Sequence, residues 1–475
     1  MATITNKRPT LGVIVGNRGF FPKHLCVEGR KAVLNTLSEL GIEAVIAPED
    51  ATAYGSVESM NEARLYADLF RQHRDDIDGI LVTLPNFGDE RAVANTIRWA
   101  DLGVPVLVHA FNDDAAKMTI ADRRDSFCGK MSVCNNLTQY GIKFSLTTLH
   151  TCDPTSESFK ADLRNFVGTC RVVRGLKHAR VGALGARPQA FNTVRYSEKL
   201  FEVSGISVET LDLSEAFGRI GKLRDDDPAV KGYLDRIRAY AKVGPNVPAE
   251  ALTKMAKLGV VIERWMDDTQ LDMTAIQCWT SMEEYFGVVP CTIMSMMSDR
   301  LQSSACETDV AGVVGMYAMA LASGKPSALV DWNNNYGSDP NKCVLFHCGN
   351  WARSFIPDAA IKTAPILGTT LGEENTYGAM AGRTPSGPVT FGRVSTDDVH
   401  GVIRTYVGEG VFTDDPLDTF GTRAVVQVGG LQSLMKYVCK NGFEHHVAMN
   451  ASHTADVLAE AFETYFGWEV HVHTA

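Results

Sequence analysis

Short apolar segments alternate with helical segments through the first 170 residues of this 475-residue chain. Each apolar segment is long enough for one buried strand: they span residues 11–15, 42–47, 79–84 and 104–110. Helical spacing of apolar residues separates them over about 26–40, 58–73 and 89–101. Strands that are apolar along their whole length and alternate with amphipathic helices are typical of a doubly wound parallel sheet. In such sheets ligands bind beyond the carboxyl ends of the strands.

The first loop at that predicted edge follows the strand at 11–15 and reads GNRGFFPKH. It lacks the spacing GxGxxG, so it carries no dinucleotide fingerprint. Arg18, Lys23 and His24 in this loop could contact an anionic or hydroxyl-rich ligand. A solvated loop without a ligand is the equally open alternative.

A second α/β region follows, and after it the composition and the apolar pattern of the sequence change. A strand at 179–184 precedes helical patterns at about 193–204, 228–241 and 248–268, and another strand follows at 272–278. After about residue 326, Gly, Pro, Thr and Val become frequent and the apolar segments shorten to strand length. We therefore predict three domains: an α/β domain at 1–170, a second at 171–325, and a β-rich, barrel-like domain at 326–475.

Composition restricts the partners and the compartment. Charged residues make up 21% of the chain, the net charge is −10, and no Lys/Arg cluster is present, so we expect no nucleic-acid partner. No apolar run approaches the length of a transmembrane helix, and the N-terminus lacks the apolar core of a signal peptide. The 11 cysteines are scattered without paired spacing, as expected for reduced thiols. We expect a cytoplasmic protein without a membrane partner.

Two carboxylates and two histidines stand out as candidate site residues. Glu307 and Asp331 each lie where an apolar segment meets a polar loop, His347 lies on a strand that runs out into a polar turn, and His446 follows His445 on a predicted strand. Carboxylate and imidazole together suit Mn²⁺, Co²⁺, Fe²⁺ or Zn²⁺. The spacing alone leaves structural roles open: an acid at a helix N-terminus, an Asx turn, and hydrogen-bonded histidines. Since neighbouring residues on a strand point to opposite faces, we expect only one of His445 and His446 to face a given site.

Several segments around these residues resemble the L-fucose/L-arabinose isomerase family, in family order. They are IQCW at 276–279, FGVVPCTIMS at 286–295, ACETDV at 305–310, LVDW at 329–332, FHCGN at 346–350 and HH at 445–446. GARP at 185–188, with Phe191, also resembles a segment of the family's middle domain.

The resemblance implies that Glu307, Asp331 and His446 bind a divalent metal, usually Mn²⁺, and that His347 is a ligand or lies next to one. It also implies two α/β domains followed by a β-barrel-like domain, assembled as a homo-oligomer. We rank a hexamer ahead of a tetramer. Active sites of the family lie between subunits, which would give the loop with Arg18, Lys23 and His24 a role as a lid or substrate contact in a neighbour's site.

The residue types fit an aldose–ketose isomerisation through a cis-enediol. One carboxylate would remove the weakly acidic C2 proton, and a second group would move protons between the oxygens. Glu307 and Asp331 are the predicted acid/base pair, and either could be the base.

Cationic side chains direct the substrate prediction. Arg18, Lys23 and His24 in the first loop, with Arg187 and Arg353 elsewhere, suit an anionic group at C6 of a hexose. We therefore rank sulfoquinovose, converted to 6-deoxy-6-sulfofructose, ahead of neutral L-fucose, D-arabinose or L-arabinose, and we count His347 and Asn350 among the substrate contacts. Surface ion pairs are the alternative role for these cations. A non-enzymatic sugar-binding or sensor protein and a metal-dependent aldolase or dehydratase are the competing classes.

Overall fold

The computed structural model describes residues 7–474. Residues 1–6 and 475, which include part of the N-terminal segment discussed above, lie outside the described residues. The chain forms two compact units. Among the described residues, the N-terminal unit holds 7–174 together with Glu460–Gly467, and the C-terminal unit holds Gly175–Ala459 together with 468–474. The division into three domains stays a prediction. None of the described helices combines the length and the apolar composition that crossing a membrane requires.

The N-terminal unit is a five-stranded sheet with helices on both faces. Its strands are β1 (Thr10–Val15), β2 (Glu43–Val45), β3 (Gly79–Leu84), β4 (Val106–Ala110) and β5 (Ser145–Leu146). Its helices are α1 (Lys23–Glu39), α2 (Met60–Gln72), α3 (Glu90–Ala100), α4 (Ser126–Gln139) and α5 (Glu157–Leu176), which continues two residues past the boundary of the unit. All neighbouring strands are parallel, in the order β2-β1-β3-β4-β5. The order therefore reverses between β1 and β3, which is where ligands bind in such sheets.

Burial explains why this sheet is parallel. Every residue of β1 is buried, and its side chains alternate between two apolar cores. Ile14 packs with Tyr66 and Phe70 of α2, whereas Val13 packs with Val33 of α1. A strand covered on both faces by helices has to be apolar throughout, as the sequence indicated.

The C-terminal unit begins with a second parallel sheet. Its strands are β6 (Arg180–Leu184), β7 (Ser207–Leu211), β9 (Met273–Ile276) and β10 (Ser304–Cys306), while β8 (Lys242–Val243) belongs to the sheet described next. Its helices are α6 (Glu198–Val203), α7 (Leu213–Gly221), α8 (Pro228–Tyr240), α9 (Ala249–Thr269), α10 (Ser281–Phe286), α11 (Cys291–Asp299) and α12 (Val310–Ser323). The strand order is β10-β9-β6-β7.

A ten-stranded mixed sheet completes this unit. Its further strands are β11 (Ser327–Asn335), β12 (Lys342–His347), β13 (Ala360–Thr363), β14 (Tyr377–Arg383), β15 (Gly387–Asp397), β16 (Val402–Thr413), β17 (Thr422–Gln427), β18 (His446–Asn450) and β19 (Glu469–His473). The order is β19-β16-β15-β18-β11-β12-β17-β14-β13-β8. Because β16 also pairs with β17, six strands from β16 to β17 close into a barrel. Helices α13 (Pro365–Leu371), α14 (Leu431–Lys440) and α15 (Ala455–Glu460) connect the strands, and a π-helical segment at Ala461–Phe466 follows in the N-terminal unit. The predicted fold class, two doubly wound parallel sheets followed by a barrel-like β-rich region, is confirmed.

Helix α12 joins the parallel sheet to the barrel and positions the site. It begins three residues after the end of β10, and β11 starts shortly after its last turn. Apolar residues surround the whole helix, and it is buried from Val310 to Ala322. The helix packs directly against the barrel at Gly315, where a Cβ would lie at ordinary contact distance, 3.6 Å from Ala448 Cβ and 3.7 Å from Val394 Cγ2. The segment before α12 is thereby held against the strands that carry the candidate ligands.

Candidate active and metal-binding site

Glu307 lies between β10 and α12 in a conformation that few residues adopt. Its φ is +61° and that of Thr308 is +56°, both in the left-handed region. A non-glycine residue there costs about 1–3 kcal/mol, and such strain concentrates at functional sites. Only 6% of Glu307 is exposed. The two residues turn the chain from the strand into the helix and place the Glu307 carboxylate at the barrel.

Asp331 and His446 face Glu307 from neighbouring strands of the barrel. They are directly opposite each other in the antiparallel pair β11–β18, so their side chains share one face. Nε2 of His446 lies 2.8 Å from Oε2 of Glu307 and 3.4 Å from Oδ1 of Asp331. Three side chains from three elements therefore converge on one small volume.

His347 and His445 border the same volume. His347 is the last residue of β12, and its ring centroid lies 5.8 Å from that of His446. One ligand atom each from Glu307, His347 and His446 lies within 4.8 Å of the others, and the same holds for Asp331, His445 and His446. The expectation that only one of the adjacent histidines faces the site is wrong. Strand β18 begins at His446, so His445 precedes the strand and is free of its alternation, and its Nε2 lies 3.7 Å from Asp331 Oδ1.

The donor atoms in this volume fit a divalent cation. Glu307 Oε2, Asp331 Oδ1 and His347 Nε2 are buried and make no hydrogen bond of good geometry among residues 7–474, and the close neighbour of Glu307 Oε2 is the ion-pairing Nε2 of His446. His446 Nδ1 contacts Asp309 Oδ2 at 2.8 Å, so Nε2 is left either to carry a second proton or to bind a cation. Carboxylate and imidazole donors of this kind suit Mn²⁺, Co²⁺, Fe²⁺ or Zn²⁺.

Electrostatics at the site favour positive charge next to Glu307. Burial by itself would lower the pKa of His446, but the hydrogen bonds and charges of Asp309 and Glu307 outweigh it and raise this pKa to about 10. Burial likewise opposes ionisation of Glu307, yet His446, His347 and Trp279 lower its pKa to about 2. When no cation is bound, a proton on His446 fills that role, and cation binding has to displace it.

A buried group of charges lies behind His446. Arg393 donates from Nη1 to Asp309 Oδ2 at 2.5 Å and from Nη2 to Asp309 Oδ1 at 3.0 Å. Its Nε lies 3.0 Å from Glu444 Oε2, and Ser395 donates to Glu444 Oε1 at 2.9 Å. Burial by itself would raise the pKa of Asp309, but Arg393 and His446 outweigh this effect and hold the pKa far below its ordinary value. Sequence reasoning assigned no role to Arg393 or Glu444, and it considered Asp309 only as an acid that favours a helix N-terminus. Only Asp309 carried a signal, because it lies in the ACETDV segment.

Aromatic rings form one wall of the site. Trp279 donates from Nε1 to Glu307 Oε1 at 2.9 Å. Phe191, in the loop after β6, places its ring edge-on to Trp279 and His445, with centroid distances of 5.6 and 5.4 Å, and 5.6 Å from His446. Both residues lie in the segments that resemble the isomerase family, but local spacing offers no reason to assign them these contacts.

The predicted substrate contacts of the C-terminal unit take different positions. Arg187 lines a cavity of about 730 Å³ together with Thr308 and Glu444, the chain neighbours of Glu307 and His445. Its Nη1 donates to the backbone oxygens of Pro188 and Gln189 at 3.2 and 3.3 Å. Asn350 is only 2% exposed, and neither its amide oxygen nor its nitrogen has a partner in the described part of the chain. Arg353 is exposed on a single 3₁₀ turn, and its backbone N–H donates to Tyr240 Oη.

The predicted contacts of the N-terminal unit lie at the point where the strand order reverses. Arg18 follows β1, pairs with Glu90, donates from Nε to Gly88 O at 3.0 Å and stacks over Phe87. His24 Nε2 lies 3.3 Å from Asp122 Oδ1. Lys23 is exposed at the first position of α1. Arg18 and His24 therefore each already have a carboxylate neighbour, whereas Lys23 is exposed.

Comparison with known proteins identifies the family of the chain. The family model described as fucose/sulfoquinovose isomerase, N-terminal domain, matches residues 12–177, and that of L-fucose isomerase, C-terminal domain, matches residues 345–474. Proteins named sulfoquinovose isomerase from Priestia aryabhattai and Priestia megaterium are each 25% identical over 421 residues, which cover 88% of this chain and 89% of theirs. One from Alkalicoccus urumqiensis is 25% identical over 305 residues, covering 62% of this chain and 66% of its own. Because both ends of the chain match the two domains of one family in the same order, the chain belongs to the fucose/sulfoquinovose isomerases and is an aldose–ketose isomerase.

Proposed function

We propose that this chain is a metal-dependent isomerase of a C6-anionic hexose and converts sulfoquinovose to 6-deoxy-6-sulfofructose. The observation that carries the metal-dependent part is the group of unpartnered donor atoms around His446, on Glu307, Asp331 and His347. The substrate part rests on the similarity to proteins named sulfoquinovose isomerase along 88% of the chain. It also rests on the guanidinium of Arg187, which lines the cavity of about 730 Å³.

Glu307, Asp331 and His446 would hold the ion, with His347 as a further ligand or a neighbour of one. We propose Mn²⁺, since these are borderline oxygen and nitrogen donors. When bound, the ion supplies positive charge that polarises the sugar carbonyl and its neighbouring hydroxyl. Trp279 holds Oε1 of Glu307, which leaves Oε2 directed toward His446.

Glu307 and Asp331 form the proposed acid/base pair. One carboxylate takes the proton from C2 of the aldose and returns it to C1, which gives the ketose through a cis-enediol. The other moves the hydroxyl proton between O2 and O1. Both oxygens that face the site, Glu307 Oε2 and Asp331 Oδ1, lack other partners, so each is free to accept a proton. Phe191 and Trp279 restrict water on one side, which strengthens the electrostatic contacts within the site.

Arg187 and Asn350 are the best supported substrate contacts. No carboxylate lies within ion-pair distance of the Arg187 guanidinium in the described ranges, and this side chain lines the cavity beside Thr308. A guanidinium presents its N–H donors in a rigid planar fork, which can bind two oxygens of a sulfonate at once. The buried amide of Asn350 needs partners, and sugar hydroxyls can both donate to it and accept from it. Arg353 is exposed and stays a weaker proposal.

We further propose a homo-oligomer, a hexamer ahead of a tetramer, in which Arg18, Lys23 and His24 contact the substrate of a neighbouring subunit. The edge of the N-terminal sheet that carries them also presents apolar side chains to solvent. Phe20 is 77% exposed in the loop after β1, and Ile120 is 90% exposed in the loop after β4. Exposed side chains of this size suit a surface that another subunit covers.

A substrate panel with added Mn²⁺ tests the proposal. We expect turnover of sulfoquinovose and slower or no turnover of L-fucose, D-arabinose and L-arabinose. Turnover of L-fucose without turnover of any C6-anionic sugar would refute the substrate assignment.

Two further measurements test the chemistry. Exchange of solvent deuterium into C2 of the recovered sugar separates an isomerase from a sugar-binding protein, and retro-aldol fragments would indicate an aldolase. Activity that is unchanged by EDTA and by Glu307→Gln would refute the metal-dependent mechanism.

A further inference from the structure

Asp309, Arg393 and Glu444 form a charged group outside the proposed ligand set. All three are buried, and the side chains of Asp309 and Arg393 are fully excluded from solvent. Burying an unpaired charge is costly, and a group of this kind persists only when every member has partners. This group touches the proposed metal site at a single residue, His446, through Asp309.

We propose that Asp309 is a positioning residue that fixes the orientation and tautomer of His446, and that Arg393 holds Asp309 in place. The inference rests on the proposed metal-dependent function, and it adds that this group sets how tightly the chain binds a divalent cation. Glu444 completes the group by pairing with the remaining edge of the guanidinium.

The orientation of His446 follows from its two ring nitrogens. Nδ1 lies 2.8 Å from Asp309 Oδ2, and an ionised carboxylate can only accept, so Nδ1 carries a hydrogen. The opposite nitrogen then faces Glu307 and Asp331, and its lone pair can bind a cation once the proton on this nitrogen has been displaced. His446 is 1% exposed, so no water is at hand to replace Asp309 if the ring turned.

Asp309 itself is held by four contacts on its two oxygens. Oδ1 accepts from the backbone N–H of Gly312 at 2.8 Å, as the N-cap of α12, and from Arg393 Nη2. Oδ2 accepts from Arg393 Nη1 and from His446. The glycine at 312 makes this arrangement possible, because a Cβ there would lie 2.6 Å from Asp309 Oδ2 and 2.8 Å from Arg393 Nη1.

The net charge of this group favours cation binding at His446, as the orientation of the imidazole does. One guanidinium faces two carboxylates, so the group has a net negative charge behind His446. That charge stabilises a cation on the far side of the imidazole. Carboxylate–histidine pairs behind metal ligands typically change metal affinity by about 10- to 100-fold when the carboxylate is altered.

The substitution Asp309→Asn tests this role. Asparagine keeps the shape and can still accept from Gly312, but its NH₂ group would replace the oxygen that faces His446. The imidazole would then have to accept at Nδ1 and carry its hydrogen on Nε2, where a cation could no longer bind. We expect the Kd for Mn²⁺ to rise about 10- to 100-fold. The measurement is a titration of the metal-free full chain, followed by the electron paramagnetic resonance of free Mn²⁺.

Glu444→Gln is the matched control. It neutralises a buried carboxylate of the same group, keeps an oxygen for Ser395 and does not touch His446. We expect a clearly smaller change in the Mn²⁺ Kd than for Asp309→Asn, even where both variants lower the thermal midpoint of the metal-free protein. Equal changes in Kd, or a wild-type Kd for Asp309→Asn, would overturn the positioning role.

Two outcomes separate this inference from the proposed function. Wild-type protein that binds no Mn²⁺ would refute the metal-dependent function and the inference with it. Wild-type protein that binds Mn²⁺ as tightly as Asp309→Asn does would refute the inference alone. If Asp309→Asn does not fold, Arg393→Lys keeps the charge but loses one of the two bonds to Asp309, and a wild-type Kd in that variant overturns the inference equally.

Discussion

A buried carboxylic acid at the start of α10 makes the stability of this protein depend on pH. Glu283 is fully buried, and neither carboxylate oxygen has a hydrogen-bond partner within residues 7–474. Burial, with a small contribution from the charge of Glu284, raises its pKa from 4.5 to about 8. The folded protein therefore holds this proton at neutral pH, whereas the unfolded chain releases it.

The sign and size of the effect follow from proton linkage. Because the pKa of Glu283 is higher in the folded state, its contribution to stability is fully present below pH 4.5 and is lost as the pH rises through about 8. A pKa increase of this size corresponds to at most about 5 kcal/mol over the whole range. Between pH 5.5 and 8.5 the expected loss is roughly 3 kcal/mol.

Glu283→Gln tests this calculation, since glutamine has nearly the same size and cannot ionise. The free energy of unfolding is measured by denaturant titration of metal-free wild type and variant at pH 5.5 and 8.5. We expect the variant to gain roughly 3 kcal/mol relative to wild type between the two pH values. Glu284→Gln is the control, because Glu284 is the exposed neighbour on the same helix and contributes little to the pKa of Glu283, so this variant should keep nearly all of the pH dependence of wild type. The reasoning is refuted if wild type and Glu283→Gln lose stability in parallel.

Three further predictions concern the site. Arg187→Met should lower kcat/KM for sulfoquinovose on the order of 10- to 100-fold, because a hydrogen bond to a charged group contributes about 1.5–3 kcal/mol, and should change turnover of a neutral sugar little; equal losses for both sugars would contradict a sulfonate contact. Asn350→Ala should raise KM for the sugar about 3- to 10-fold in steady-state assays, since it removes neutral hydrogen bonds, and an unchanged KM would exclude Asn350 from the substrate contacts. Glu307→Gln should slow deuterium exchange at C2 by at least about 100-fold, as measured by NMR of recovered sugar, and exchange at the wild-type rate would show that this carboxylate does not move the proton.

The parts of the fold that local sequence patterns specify were predictable. The strand at 79–84 was placed to the residue, since a fully buried strand has to be apolar throughout. Helix α4 was missed, because few of its residues are apolar and they do not form a clear stripe. Strands β16 and β17 are consecutive in the sequence, but the barrel also needs β18 to pair with β11 and β15, which are distant in the chain, and no local pattern reports those pairings.

The candidate site likewise has a part that local sequence patterns predict and a part that they do not. Glu307, Asp331, His347 and His446 were found because they lie in recognisable segments, and the structure brings them together. The bonds of Asp309 to Arg393 and His446 span 84 and 137 residues of chain, which local spacing cannot reveal. Sequence reasoning also overstated the free charge of the first loop, since it could not show that Glu90 and Asp122 pair with Arg18 and His24.

The route of the chain through the site has a consequence for folding. Glu307 leaves the parallel sheet, whereas Asp331, His347 and His446 belong to the barrel, so the donor set exists only after both have formed and docked. A cation that recognises the complete set would therefore bind late and would bind only the finished protein. Such selective binding stabilises the native state by mass action. Metal content would then report how much of a preparation has assembled correctly, before any sugar is added.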